Sequence, residues 1–262
     1  MSFILQVHPI IQALIATIFT WSITALGAAL VFMFKKINKN VLDSMLGISA
    51  GVMIAASFWS LLSPSIAMAE NLQMNVMLVV SLGFLSGGLL LFIGDKVMNK
   101  LQSKKGLSTN KRVLMLISSI TLHNIPEGLA VGVAFGSTLY GLDGATILSA
   151  WTLALGIGIQ NFPEGTAVSV PLRREGMSRR KAFFYGQLSG IVEPISGIIG
   201  AILVLKVRLI LPFLLAFAAG AMIYVVVEEL IPESQTNESK DLMSMFTLVG
   251  FVIMMLLDVL LG

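Results

Sequence analysis

The chain of 262 residues contains no cysteine and very little charge. The first absence removes disulfides, thiolate metal sites and cysteine nucleophiles together. The second reaches further. Charged residues make up 12% of the chain, where a soluble domain carries about 25%. So little charge cannot cover a water-facing surface, which excludes a soluble enzyme and a nucleic-acid binder. The net charge of +3 is not a basic patch, because only 17 lysines and arginines exist in total. Polar sequence is too scarce for disorder. Histidine is nearly absent as well, with only His8 and His123.

What is present is apolar. Hydrophobic residues make up 56% of the chain, and the mean hydropathy is +0.91. Uncharged runs of about 18 residues or more are candidate membrane spans. Residues 10–34, 44–69, 71–94 and 209–227 hold no charge, and neither does the run 242–257, which reaches the chain end if Asp258 is admitted. Three more runs hold one glutamate each: Glu127 in 113–142, Glu164 in 144–172 and Glu193 in 182–205. The expected fold is an all-α polytopic membrane protein with eight transmembrane helices. They lie near 10–34, 44–62, 74–94, 113–137, 145–170, 182–205, 209–227 and 242–261, in a single domain over residues 1–262.

Basic residues orient these spans. Lys35, Lys36 and Lys39 follow span 1. Lys96, Lys100, Lys104, Lys105, Lys111 and Arg112 follow span 3. Arg173, Arg174, Arg179, Arg180 and Lys181 follow span 5, and Lys240 follows span 7. These loops share one side and hold 15 of the 17 basic residues, which makes that side cytoplasmic and both termini extracytoplasmic. The expected location is a bacterial inner (plasma) membrane, with the lipid bilayer as the solvent. The apolar N-terminal run lacks a preceding positive segment and reads as span 1 rather than a cleavable signal.

One nine-residue motif occurs twice. His123-Asn124-Ile125-Pro126-Glu127-Gly128 recurs 37 residues later as Gln160-Asn161-Phe162-Pro163-Glu164-Gly165, each followed by a short apolar run. Spans 4 and 5 are consecutive, so the copies sit on antiparallel helices, as inverted repeats do in transporters. Pro126 cannot bond to the carbonyl of Leu122, nor Pro163 to that of Ile159. Both helices are therefore expected to kink, at a cavity or inside the protein. His123 and Glu127 are four apart and share a face, as do Gln160 and Glu164. Asn124 and Asn161 point about 100° away.

Depth brings more residues to the same level. Glu193-Pro194 lies at the middle of span 6 and Met53 at the middle of span 2. An acid at the bilayer centre costs at least about 3 kcal/mol. Three carboxylates together repel unless they are protonated or bridged by a cation. An imidazole, carboxylates, amide oxygens and a thioether suit zinc, iron, manganese or cadmium better than calcium.

At these residues the sequence resembles the ZIP family (Zrt/Irt-like) of metal transporters. The paired motif carries the resemblance, with Glu193-Pro194, the stretch 50–57 around Met53, and the stretch 229–233. The likeness covers essentially the whole chain and is closest to the bacterial GufA-like branch. It implies uptake of divalent metal into the cytoplasm, zinc first, with cadmium, iron and manganese also fitting. It further implies an eight-helix fold with spans 4 and 5 at its centre, and homodimers. The metal is cargo, and no resident cofactor is implied. Carried over residue by residue, it implies one metal among His123, Glu127, Gln160, Glu164 and Met53. A second would lie among Asn124, Asn161 and Glu193, with Glu127 and Glu164 shared. Gln160 stands where many members carry histidine, a departure from a strictly zinc-selective donor set. Residues 96–112 contain no histidine, so no metal-sensing loop is expected.

Plainer readings stand beside these. Met53 is one of 15 methionines and serves equally as packing. Glu193 could be a protonated packing acid. Gly83, Gly87 and Gly88 suit close helix packing, or a dimer contact. Glu228, Glu229 and Glu233 could receive the released ion, or cap span 7. The alternative function is an intramembrane metal-dependent hydrolase. It needs a site such as His-Glu-x-x-His, and the two histidines lie far apart.

Overall fold

The computed structural model describes residues 7–34, 38–102, 109–141, 145–174 and 176–261; within these, the side chains of 98, 99, 101, 102, 109–120, 123, 174 and 261 lie outside the description. No strand occurs among the described residues. Eight long helices follow in order: α1 Pro9–Met33, α2 Lys39–Asn71, α3 Val76–Gln102, α4 Thr109–Ser137, α5 Ile147–Arg174, α6 Arg179–Lys206, α7 Arg208–Ser234 and α8 Lys240–Leu261. Local chemistry starts them. The His8 ring accepts from the Ile10 amide at 3.3 Å, with Pro9 opening α1. Asn38 Oδ1 accepts from the Asn40 amide at 2.9 Å before α2, and Ser178 Oγ caps α6. Each satisfies an N-terminal amide that has no intrahelical partner.

Among the described residues, six helices are long and apolar enough to cross a membrane: α1, α2, α3, α6, α7 and α8. Their outer faces are apolar too. Leu82, Leu85, Leu89 and Phe92 of α3 are exposed, as are Leu248, Val252 and Leu256 of α8. Such a continuous apolar surface is foreign to water and suited to lipid tails. The chain is an integral membrane protein. α4 and α5 are the two helices that carry the repeated motif. They have 29 and 28 residues, about 43 and 42 Å at the α-helical rise. Both are long enough to span, and in α5 the polar Gln160, Asn161 and Glu164 lower the hydropathy in mid-helix.

α4 runs as one helix through Pro126, and α5 through Pro163 and Pro171. The response to proline elsewhere is different. Residues Ser57–Leu62 of α2 and Val226–Leu230 of α7 form π turns, each ending two residues before a proline, Pro64 and Pro232. A proline ring clashes with the carbonyl four residues back. A wider turn there makes room for it, and such π turns concentrate at functional sites.

The helices pack as two bundles. One joins α1 to α5, α4 to α6, and α1 to α6; the other joins α3 to α7 and α2 to α8. The bundles meet where α2 lies on α5 and α7 on α4. The tightest seams run over glycine. A Cβ on Gly132 would strike the backbone of Gly197, joining α4 to α6, and one on Gly87 would strike Phe217 of α7. Gly83 and Gly87 are thus spent on packing within the protomer.

Candidate metal site

The repeated motif meets itself at the centre of the first bundle. Asn124 and Glu127 are three residues apart on α4, and Gln160, Asn161 and Glu164 lie within one turn of α5. Asn124, Glu127, Gln160, Asn161 and Glu193 are each at most 1% exposed. Gln160 Nε2 donates to Glu127 Oε1 at 2.6 Å, linking the two copies. Asn161 Nδ2 donates to both oxygens of Glu193 at 3.0 Å, and to the Thr20 carbonyl at 3.3 Å. The Thr20 hydroxyl donates to Glu193 Oε2. Three helices, α1, α5 and α6, are stitched at this point.

Gly128 explains how α6 comes so close. A Cβ there would collide with the Glu193 backbone and the Ser196 hydroxyl. The glycine after each Pro-Glu pair therefore serves helix contact. Gly165 does the same against the Thr24 carbonyl of α1.

The unpaired atoms define the chemistry. Asn124 Oδ1, Glu127 Oε2, Gln160 Oε1 and Asn161 Oδ1 are buried with no hydrogen-bond partner among the described residues. Buried polar atoms are normally satisfied, and an orphan costs about 1–3 kcal/mol. All four atoms are oxygens, and all belong to the two motif copies. Glu164 lies within electrostatic reach of Glu127 and Glu193. Carboxylates gathered among such oxygens repel one another unless they are protonated or share a cation. Among the described residues no three His, Asp or Glu side chains converge closely enough to hold a cation by themselves. Beside the carboxylates, the amide oxygens of Asn124, Gln160 and Asn161 are the buried oxygens at this point that no described group engages. The side chain of His123 lies outside the described residues; its backbone is one helical turn before Glu127.

Met53 is fully buried in α2. It is one turn beyond Ser49, whose hydroxyl donates to the Gln160 carbonyl at 3.2 Å. Met53 thus sits on the face of α2 that meets α5, inside the apolar core. Glu228 and Glu229 lie in the π turn of α7, away from the motif pairs.

Three residues escaped the sequence reading. Thr20 and Ser49 are ordinary hydroxyls in apolar runs, and no spacing marks them. Asp43 is the third. It is buried at the start of α2 between Lys39 Nζ at 3.1 Å and Asn237 Nδ2 at 2.8 Å. Asp258, the one charge in the last apolar run, accepts from Ser60 Oγ of α2 at 2.7 Å.

Comparison with known proteins agrees with the motif. Residues 101–258 match the family model described as ZIP Zinc transporter. The chain is 40% identical to "Zinc transporter ZIP11" of Xenopus tropicalis, over 97% of this chain and 98% of that protein. It is 33% identical to "Zinc transporter GufA" of Myxococcus xanthus, over 95% and 98%. It is 35% identical to "Zinc transporter ZIPB" of Bordetella bronchiseptica, over 91% and 78%. The paired Asn-x-Pro-Glu-Gly motif, its convergence on one buried cluster and these likenesses agree: the chain belongs to the ZIP zinc transporter family.

Proposed function

We propose that this protein carries divalent transition-metal ions into the cytoplasm, zinc foremost, with cadmium, iron and manganese as further substrates. The observation that supports this reading is the cluster of four buried, unpartnered oxygens on Asn124, Glu127, Gln160 and Asn161. Cations held among them would supply the partner these oxygens lack. Glu164 adds charge, and His123, four residues before Glu127, is the expected nitrogen donor. Met53 offers a thioether where α2 meets α5, which softens the donor set. The relatives' names support zinc as the first substrate. The chain is a transporter and not an enzyme, and the hydrolase alternative is set aside. The metal is cargo, and no resident cofactor is invoked.

In this reading all eight helices cross the bilayer as one domain, residues 1–262. α4 and α5 bend at Pro126 and Pro163 and occupy the centre. Both termini lie outside, because 15 of 17 basic residues fall in the loops of one face. A bacterial inner membrane suits that charge bias, and the exposed flank of α3 leaves room for lipid or a second copy. Alternating access would move one helix bundle against the other. The contacts of α2 on α5 and of α7 on α4 form the surface along which they move.

The test is flux. Purified protein in liposomes is assayed for zinc, cadmium, iron and manganese uptake, beside Glu164→Ala. Zinc entry that falls by more than about tenfold is expected, the factor set by a loss of about 1.4 kcal/mol in cation binding. Absence of flux for every metal, or flux indifferent to the substitution, ends the proposal.

A further inference from the structure

The donor cluster contains three amides, two of them, Gln160 and Asn161, neighbours on α5, and an amide can face a cation usefully in only one orientation. Its oxygen attracts the ion, whereas its NH2 group repels it. Something must hold the amide nitrogens away. For Gln160 that partner is Glu127 Oε1, which takes Nε2 at 2.6 Å. For Asn161 it is a pair of acceptors, the Glu193 carboxylate at 3.0 Å and the Thr20 carbonyl at 3.3 Å. A backbone carbonyl accepts and never donates. Turning the Asn161 amide over would set Oδ1 against it, oxygen to oxygen. Nδ2 is therefore held toward α1 and α6, and Oδ1 is left facing elsewhere without a partner.

Glu193 needs holding in turn. Both its oxygens are engaged, by Asn161 Nδ2 and, at Oε2, by the Thr20 hydroxyl. The Thr20 hydroxyl has a second acceptor in reach, the Thr17 carbonyl at 3.0 Å. It carries one proton, and the carboxylate is the stronger acceptor. Thr20 is fully buried, so water does not compete for that proton.

We propose that Thr20 is a positioning residue for the transported cation: its hydroxyl fixes Glu193, and Glu193 with the Thr20 carbonyl aims Asn161 Oδ1 at the ion. This rests on the reading of the motif cluster as the cation site. It gives Glu193, beside its expected place around the second metal, the further role of orienting a neighbouring donor, as carboxylates hydrogen-bonded to metal-binding side chains do. It also gives α1, which contributes no donor, a share in setting affinity. Outer partners of this kind change metal affinity by about 10–100-fold when removed.

The test uses the full chain. Zinc uptake into proteoliposomes supplies KM, and the zinc concentration that half-shifts Tm of the detergent-solubilised protein supplies an affinity independent of transport. Thr20→Val removes the hydroxyl at nearly constant shape. It should raise both quantities by about tenfold or more. Thr20→Ser, which restores the hydroxyl, should return both to within about threefold of wild type, a residual of about 0.6 kcal/mol. In an Asn161→Ala background Thr20→Val should add almost nothing, because the donor it orients is gone. Should Thr20→Val fail to fold, Thr20→Ala is read in the same way. A Thr20 variant that lowers only the metal-free Tm, with KM unchanged, overturns the proposal. So does a full effect of Thr20→Val on top of Asn161→Ala. In either of these overturning cases, a raised KM for Asn161→Ala alone leaves the cation site standing while the role of Thr20 falls. If Asn161→Ala, Glu127→Ala and Gln160→Ala all leave KM unchanged, the site reading and this inference fail together.

Discussion

Gln160 Nε2 lies 2.6 Å from Glu127 Oε1, and this one hydrogen bond joins the two copies of the repeated motif. It leaves one oxygen on each residue buried and without a partner among the described residues. The link ties α4 to α5, and under the proposed function the two remaining oxygens are donors for an ion.

Gln160→Leu should therefore damage both functions. Glu127 loses a buried charge-assisted partner, a cost of about 1.5–3 kcal/mol. At about 2–4 °C per kcal/mol for a chain of this size, Tm of the metal-free protein should fall by about 3–12 °C. Zinc should restore less stability than in wild type. A thermal melt with and without zinc measures both, and an unchanged zinc increment would show that Gln160 gives no donor.

Gly132→Val should disrupt the seam between α4 and α6. The new side chain meets the Gly197 backbone, which cannot move aside as a flexible side chain would. Overpacking of this kind costs about 1–3 kcal/mol. Tm should drop, and the folded fraction on size-exclusion chromatography should shrink. A variant as stable as wild type would mean that the two helices are farther apart than described.

Asp43→Ala should separate stability from transport. Asp43 is buried between Lys39 and Asn237 in the second bundle. Ser234 Oγ also donates to its carbonyl at 2.9 Å, a bond the substitution keeps. Lys39 is 53% exposed, so the ion pair is screened and adds little. The loss is mainly that of the Asn237 bond, about 1–3 kcal/mol. Expected are a lower Tm and an unchanged KM for zinc. A raised KM would place the inner end of α2 in the ion's path.

Orientation is readable by labelling. The chain has no cysteine, so Glu70→Cys gives a unique thiol at an exposed position. In intact cells a membrane-impermeant maleimide should reach it without lysis. Reaction only after lysis would reverse the assigned topology.

Much of this protein was readable in sequence because the signals are local. Low charge, long apolar runs and the side bias of lysine and arginine need no tertiary structure, since the bilayer acts on each segment separately. The motif pair was readable for a similar reason. Four-residue spacing places Gln160 beside Glu164 whatever the neighbouring helices do. The π turns of α2 and α7 were not readable, because proline in an apolar run is compatible with a kink, a cap or a wide turn. Only the surrounding packing selects among them.

The sequence by itself determined the class of the molecule, the helices that carry chemistry and the residue types within the cluster. Tertiary structure decided which atoms are left for a cation. Gln160 and Asn161 each carry a donor and an acceptor, and nothing in the sequence states which end is bound. That choice falls to Glu127, Glu193 and the Thr20 carbonyl, from three other helices. It is settled by the rule that acceptors face donors, which applies only once the helices have met.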